Sequence, residues 1–167
     1  MIRYLVLLAV LAFPAFLAVP VLQATGAAAQ PAGSLVSFSK EPLAVESGGK
    51  IHKFSVELAL NGRQQMQGLM FRRRMAPDAG MLFVYRRSEP TAMWMKNTFI
   101  PLDMLFIARN GVIHHIAERT VPMSEAVIAS NGPVVAVLEL NAGTVSRLGL
   151  KPGDRVISAA LGTESEK

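Results

Sequence analysis

Five polar residues hold the chemistry this sequence offers: Arg72, Lys96, Asn97, Asp103 and Glu139. The last four stand in or beside otherwise apolar runs. Glu139 is the sharpest case, with Val134, Val135, Ala136, Val137, Leu138 and Leu140 around it. A carboxylate there is expected to be at least partly buried. An unpaired buried charge costs several kcal/mol, so it calls for a partner. Lys96 and Arg72 are the available cations. One reading is a ligand-binding or catalytic cluster, with Glu139 or Asp103 as base, Lys96 as electrostatic stabiliser and Asn97 as hydrogen-bond donor. The other is a structural ion pair with turn-capping side chains, Asp103 closing a turn after Ile100-Pro101-Leu102. Either way Lys96, Asp103 and Glu139 are expected to converge in one region.

Met93-Trp94-Met95 suggests different chemistry. Met93 and Met95 share one face of a strand, and thioethers select Cu(I). Trp94 could cap such an ion through its ring face, but strict alternation puts it opposite both sulfurs. The ordinary use of methionine is to fill an irregular core. His114-His115 point to opposite faces of a strand and cannot chelate one ion. No HExxH, GxSxG, P-loop or GxGxxG pattern is present. The absence of cysteine excludes disulfides, thiol nucleophiles, iron–sulfur clusters and Cys-bearing zinc sites. No metal and no cofactor is expected beyond the copper alternative.

These residues must be positioned by a chain of 167 residues, long enough for one domain. Met1–Ala29 reads as a secretory signal: Arg3, an apolar run over Tyr4–Leu22, then Ala27-Ala28-Ala29 before Gln30. The alternative is an uncleaved membrane anchor, which Pro14 and Pro20 weaken. Export to the periplasm or beyond is the expectation. The formal charge of +5 becomes +4 once Arg3 is removed. In an exported protein that mild excess favours anionic envelope components over nucleic acid.

Residues 30–46 read as a flexible leader, with at most a short strand at Leu35–Phe38 and a Pro/Gly/Ser-rich loop over Glu41–Lys50. Residues 47–162 read as a single β-rich globular domain and 163–167 as a tail. Ile51–Leu60 alternates cleanly, with His52, Phe54, Val56, Leu58 and Leu60 on one face. Met66, Leu69 and Met70 give a short amphipathic helix over Arg63–Phe71. Further strands are expected at Met81–Tyr85, Ala92–Thr98, Leu102–Ala108, Val112–Glu118, Val134–Leu140 and Arg155–Leu161. Asn110-Gly111 marks a hairpin, and Ala142–Leu148 a second short helix ended by Gly149. Seven or eight short strands without a long crossover predict a mainly β fold, a compact antiparallel β-sandwich or barrel-like domain with one or two short helices.

The runs Gly68-Leu69-Met70-Phe71-Arg72, Gly80-Met81-Leu82-Phe83, Trp94-Met95-Lys96-Asn97-Thr98, Pro101–Ile107, Leu138–Gly143 and Gly149…Gly153-Asp154 together resemble the family catalogued as domain of unknown function 192. The resemblance runs from about Glu57 to Asp154. It implies a compact, mainly β single domain, often behind a signal peptide, and it implies no activity.

Three functions compete. A cell-envelope binding module would present Arg72, Lys96, Asn97, Asp103 and Glu139 to a polar small molecule, glycan or protein partner. A small hydrolase or isomerase would use Asp103 and Glu139 with Lys96. A Cu(I)-binding protein would use Met93 and Met95. Binding ranks first, because no nucleophile–base pair can be recognised.

Overall fold

The computed structural model describes residues 36–163. The expected signal peptide, leader residues 30–35 and tail residues 164–167 lie outside the described residues. Seven strands are present among them: β1 (Lys40–Ser47), β2 (Lys50–Ala59), β3 (Ala79–Met93), β4 (Leu102–Ile107), β5 (Ile113–Thr120), β6 (Ile128–Asn141) and β7 (Arg155–Ile157). Two short helices, α1 (Gly62–Gln67) and α2 (Thr144–Leu148), and a 3-10 turn at Ala159–Leu161 complete the set.

The strands form one sheet in the order β5-β4-β6-β3-β2-β1-β7. The sheet curls until its edges meet: Val112 bridges Arg155, and the Val156 N–H donates to the Gly111 carbonyl at 2.8 Å. The barrel-like alternative therefore holds, built from a single sheet. Asn110-Gly111 turns β4 into β5, with Gly111 at φ +82°.

Two apolar clusters follow from strand alternation. One draws on both sheet edges and lies inside the curl, with Leu43, Val56, Leu82, Leu105, Leu138, Leu140 and Val156. The other lies on the outer face of β3, β4 and β6. There Met81, Phe83, Met104, Phe106 and Val137 are covered by Leu69, Met95 and Ile100 from the connecting loops. Gly80 lets β3 pass close to β6, since a Cβ there would sit 2.7 Å from the Glu139 carbonyl oxygen.

The expected layout needs five corrections. Glu41–Lys50 is not a loop: Leu43, Val45 and Ser47 alternate inward and Lys40–Ser47 pairs with β2. The structured body thus begins before residue 47. Met81–Tyr85 and the residues after it form one long strand with register shifts rather than two strands, and residues 94–98 lie outside it. β2 and β3 are parallel, joined by a crossover over residues 60–78 that holds α1. The pairing is therefore not wholly antiparallel. Thr163 belongs to the fold and not to a tail, since it is buried and bridges Ser158. Leu60 is also not a core residue, at 48% exposure.

Candidate functional site

The register sets the site. Glu57 on β2 lies opposite Met81 on β3, Met81 opposite Glu139 on β6, and Glu139 opposite Met104 on β4. These four residues form a row across the outer face. On β4 the neighbouring Asp103 pairs with Leu140, so its side chain projects to the inner face. Asp103 and Glu139, both buried, therefore lie back to back.

Asp103 is fully engaged. The backbone N–H groups of Arg119 and Val145 donate to its two oxygens at 2.8 and 2.9 Å. The second bond supplies the acceptor that α2 lacks locally, because its N-cap is Gly143. Asp103 ties α2 and β5 to the sheet.

Glu139 is 4% exposed, and among the described residues nothing hydrogen bonds or ion-pairs with its carboxyl. Burial pushes its pKa up to about 8. It lines a cavity of about 30 Å³, room for one or two waters. The walls are Met66 and Met70 from α1 and the turn after it, Phe83 and Met93 from β3, and Trp94 and Thr98 from the following loop. Tyr85 stands nearby and donates its hydroxyl to the Met93 sulfur at 3.4 Å. Burial, and secondarily the Glu139 charge, raise the Tyr85 pKa.

Local sequence explains the roof. Asn61 caps α1 by accepting from the Gln64 N–H at 3.1 Å. Gln65 anchors it by donating its side-chain amide to the Val84 carbonyl at 2.9 Å. The helix ends at Gly68, φ +46°, where a Cβ would meet the Phe83 ring at 3.1 Å. A glycine in a helical pattern is thus the close-packing point of the roof on the sheet.

The expected cluster separates. Lys96 does not reach Glu139. Its ammonium pairs with exposed Glu125 at 3.4 Å and lies 5.3 Å from the ring centre of Trp94, which lines the cavity. Arg72 binds Glu57 through two hydrogen bonds, at 3.0 and 2.6 Å. That pair, led by the Arg72 hydrogen bond, lowers the Glu57 pKa. It sits two strand spacings, about 10 Å, from the Glu139 position. Asn97 adopts φ +54° in a turn and directs its amide to the Met70 sulfur at 3.9 Å. Of Lys96, Asp103 and Glu139, expected in one region, Asp103 turns to the opposite face of the sheet and Lys96 pairs with Glu125 rather than Glu139. A mechanism with Asp103 and Glu139 flanking one substrate is excluded by the opposite faces they occupy. Met93 lines the cavity, whereas Met95 is buried and accepts from the Thr120 hydroxyl at 3.1 Å, so the two thioethers do not form one site. His114 and His115 diverge as expected: His114 meets the Asn131 carbonyl, and His115 stacks on Phe106.

Sequence reasoning missed Tyr85, Gln65 and Thr98, and it noted Met66 and Met70 without linking them to Glu139. Only the spacing of Met66 and Met70 marked a shared face. Nothing local links any of them to Glu139.

The family described as Uncharacterized ACR, domain of unknown function 192, matches residues 43–158. Among solved structures, the chain is similar to a candidate transcription regulator from Sinorhizobium meliloti, with 56% identity and a TM-score of 0.73. The match covers 75% of this chain and 98% of that one. It is also similar to a protein of unknown function from Novosphingobium aromaticivorans, with 34% identity and a TM-score of 0.70, covering 78% and 99%. Each solved chain thus consists of little beyond this domain, which folds by itself. No curated protein matches significantly.

Proposed function

The chain belongs to the domain of unknown function 192 family, and from that premise we propose that it is an exported binding module of the cell envelope. The Glu139 cavity is its site, and the ligand enters it with a small amine or hydroxyl group. The observation that supports this reading is a carboxyl on a nearly buried residue that lines a cavity and has no hydrogen-bond or ion-pair partner among the described residues. Native proteins satisfy nearly all buried polar groups. A carboxyl left bare at the floor of a cavity costs stability, which binding sites commonly tolerate. With a pKa near 8, Glu139 can donate a hydrogen bond when protonated or neutralise a cation when ionised. Trp94 in the cavity wall, with the Lys96 ammonium 5.3 Å from its ring centre, suits the rest of a polar ligand.

The regulator description attached to the Sinorhizobium chain finds little support: the longest described helix has six residues, too short for a recognition helix.

Thermal shift with glucosamine and ethanolamine at about pH 8, near the Glu139 midpoint, tests the proposal. Both amines should raise the melting temperature of the wild type and leave Glu139→Gln unmoved. Equal shifts in the two proteins, or none in either, remove the reading.

One observation favours a second reading. Met66, Met70 and Met93 line the same cavity as Glu139, and its volume fits a bare ion better than a molecule. The three thioethers suit Cu(I), with Met95 no part of the set and the Glu139 carboxylate serving only to balance the charge. A Cu(I) titration under reducing conditions should then give an affinity tighter than about micromolar, lost in Met93→Leu and kept in Met95→Leu. Weaker wild-type binding discards copper.

A further inference from the structure

The exposed apolar side chains are concentrated. Phe71, Trp94, Phe99, Val121, Met123 and Val127 are 40–74% exposed and come from three loops. The loops are joined by backbone hydrogen bonds. The Phe71 N–H donates to the Asn97 carbonyl at 2.8 Å, the Met95 N–H to Ser124 at 2.9 Å, and the Met123 N–H to Thr98 at 3.1 Å. The Phe71 and Phe99 rings meet edge to face at 6.3 Å. Cations lie on these aromatic faces: the Arg73 guanidinium is 5.6 Å from the Phe99 ring centre, and the Lys96 ammonium, which also pairs with exposed Glu125 of the third loop, 5.3 Å from that of Trp94. Arg74 is exposed beside them. Phe71 and Met123 hold φ values of +65° and +62°, a backbone region that large side chains rarely adopt. Backbone strain of this kind concentrates at functional surfaces.

We propose that these three loops form a docking face for an anionic lipid bilayer. Charge complementarity selects the occupant. Aromatic and aliphatic side chains settle at the level of the headgroups, where neighbouring Arg and Lys meet lipid phosphate. An acidic polysaccharide would satisfy Arg73, Arg74 and Lys96 but would leave Val121, Met123 and Val127 uncovered. The bilayer accounts for both sets of side chains.

The domain from Gln30 to Lys167, free of the apolar N-terminal run, is mixed with vesicles of phosphatidylcholine with or without phosphatidylglycerol. Co-sedimentation is read together with the emission of Trp94, the single tryptophan. Binding should require phosphatidylglycerol, shift the Trp94 emission to the blue and fall in high salt. The double variant Arg73→Glu/Lys96→Glu should bind at least tenfold more weakly. Phe99→Ala/Val121→Ser should also lose affinity, with an unchanged circular dichroism spectrum. Glu139→Gln should bind vesicles like the wild type, which separates this face from the cavity. Equal binding to neutral vesicles, or no binding to either, overturns the proposal. So does retention on dextran sulfate without vesicle binding, which would assign the face to a polyanion.

Discussion

Asp103 and Glu139 sit on adjacent strands, one residue out of register, and both are buried, yet their surroundings are opposite. Asp103 faces the inside of the curl and receives two backbone N–H groups. Glu139 faces outward under α1 and receives none. Burial alone therefore does not identify a site. What distinguishes the two is whether the chain supplies the hydrogen bonds that burial removes. Asp103 converts its burial into structure, whereas Glu139 faces a cavity and receives no donor among the described residues.

The contrast can be broken most forcefully at Asp103. Asp103→Ala strands the Arg119 and Val145 N–H groups and weakens α2. A loss of about 3 kcal/mol or more is expected in urea denaturation. A loss below about 1 kcal/mol would mean that Asp103 does not hold these elements.

Glu139 should behave in the opposite sense. Its carboxyl titrates near 8 when folded and near 4.5 by its ordinary value. Between those values the folded state holds the extra proton. Wild-type stability is thus highest at or below about pH 4.5, as far as this group is concerned. It declines as pH rises to about 8, by at most about 1.4 kcal/mol per pH unit. Glu139→Gln should abolish that decline and gain about 1–3 kcal/mol above pH 8. A variant less stable than wild type there would reveal a partner for Glu139 and return it to a structural role.

Arg72 and Glu57 sharpen the comparison as a satisfied pair on the same outer row. Their side chains are 31% and 18% exposed, so Arg72→Ala should cost only about 1 kcal/mol near neutral pH. The Glu57 pKa is depressed, so the contribution present above its ordinary value of 4.5 should disappear as pH falls through the folded value. An acid limb unchanged in Arg72→Ala would show that the pair does not set it.

The smallest effect is expected at Lys96. Its pair with Glu125 is exposed, and Lys96→Met should change stability by no more than about 0.5 kcal/mol. Combined with Glu139→Gln, the two effects should add, because the groups do not pair. Non-additivity of about 1 kcal/mol or more would restore the coupling that the geometry lacks.

Several features could be read from residue order because their causes are local. Alternation in Lys50–Ala59 places Phe54, Val56 and Leu58 inward whatever the neighbours. Asn110-Gly111 makes a tight turn because both residues tolerate positive φ, and Gly149 ends α2 for the same reason. The apolar surroundings of Glu139 announced its burial. Lys40–Ser47 was obscured because Pro42 and the glycines that follow resemble a loop, although Leu43, Val45 and Ser47 already alternate. The fate of each polar side chain was decided only by tertiary structure. Which face a carboxylate occupies depends on strand register, and register brings together residues far apart in the chain. Asp103 finds its donors at Arg119 and Val145, Arg72 finds Glu57, and Lys96 finds Glu125. The parallel pairing of β2 with β3 is equally non-local, since the crossover through α1 reveals its direction only when it packs. Among the described residues Glu139 receives no donor, because the donors in the elements that cover it are engaged elsewhere, Gln65 with the Val84 carbonyl and Thr98 with the Lys96 carbonyl, and only the packing of that roof on the sheet makes this visible.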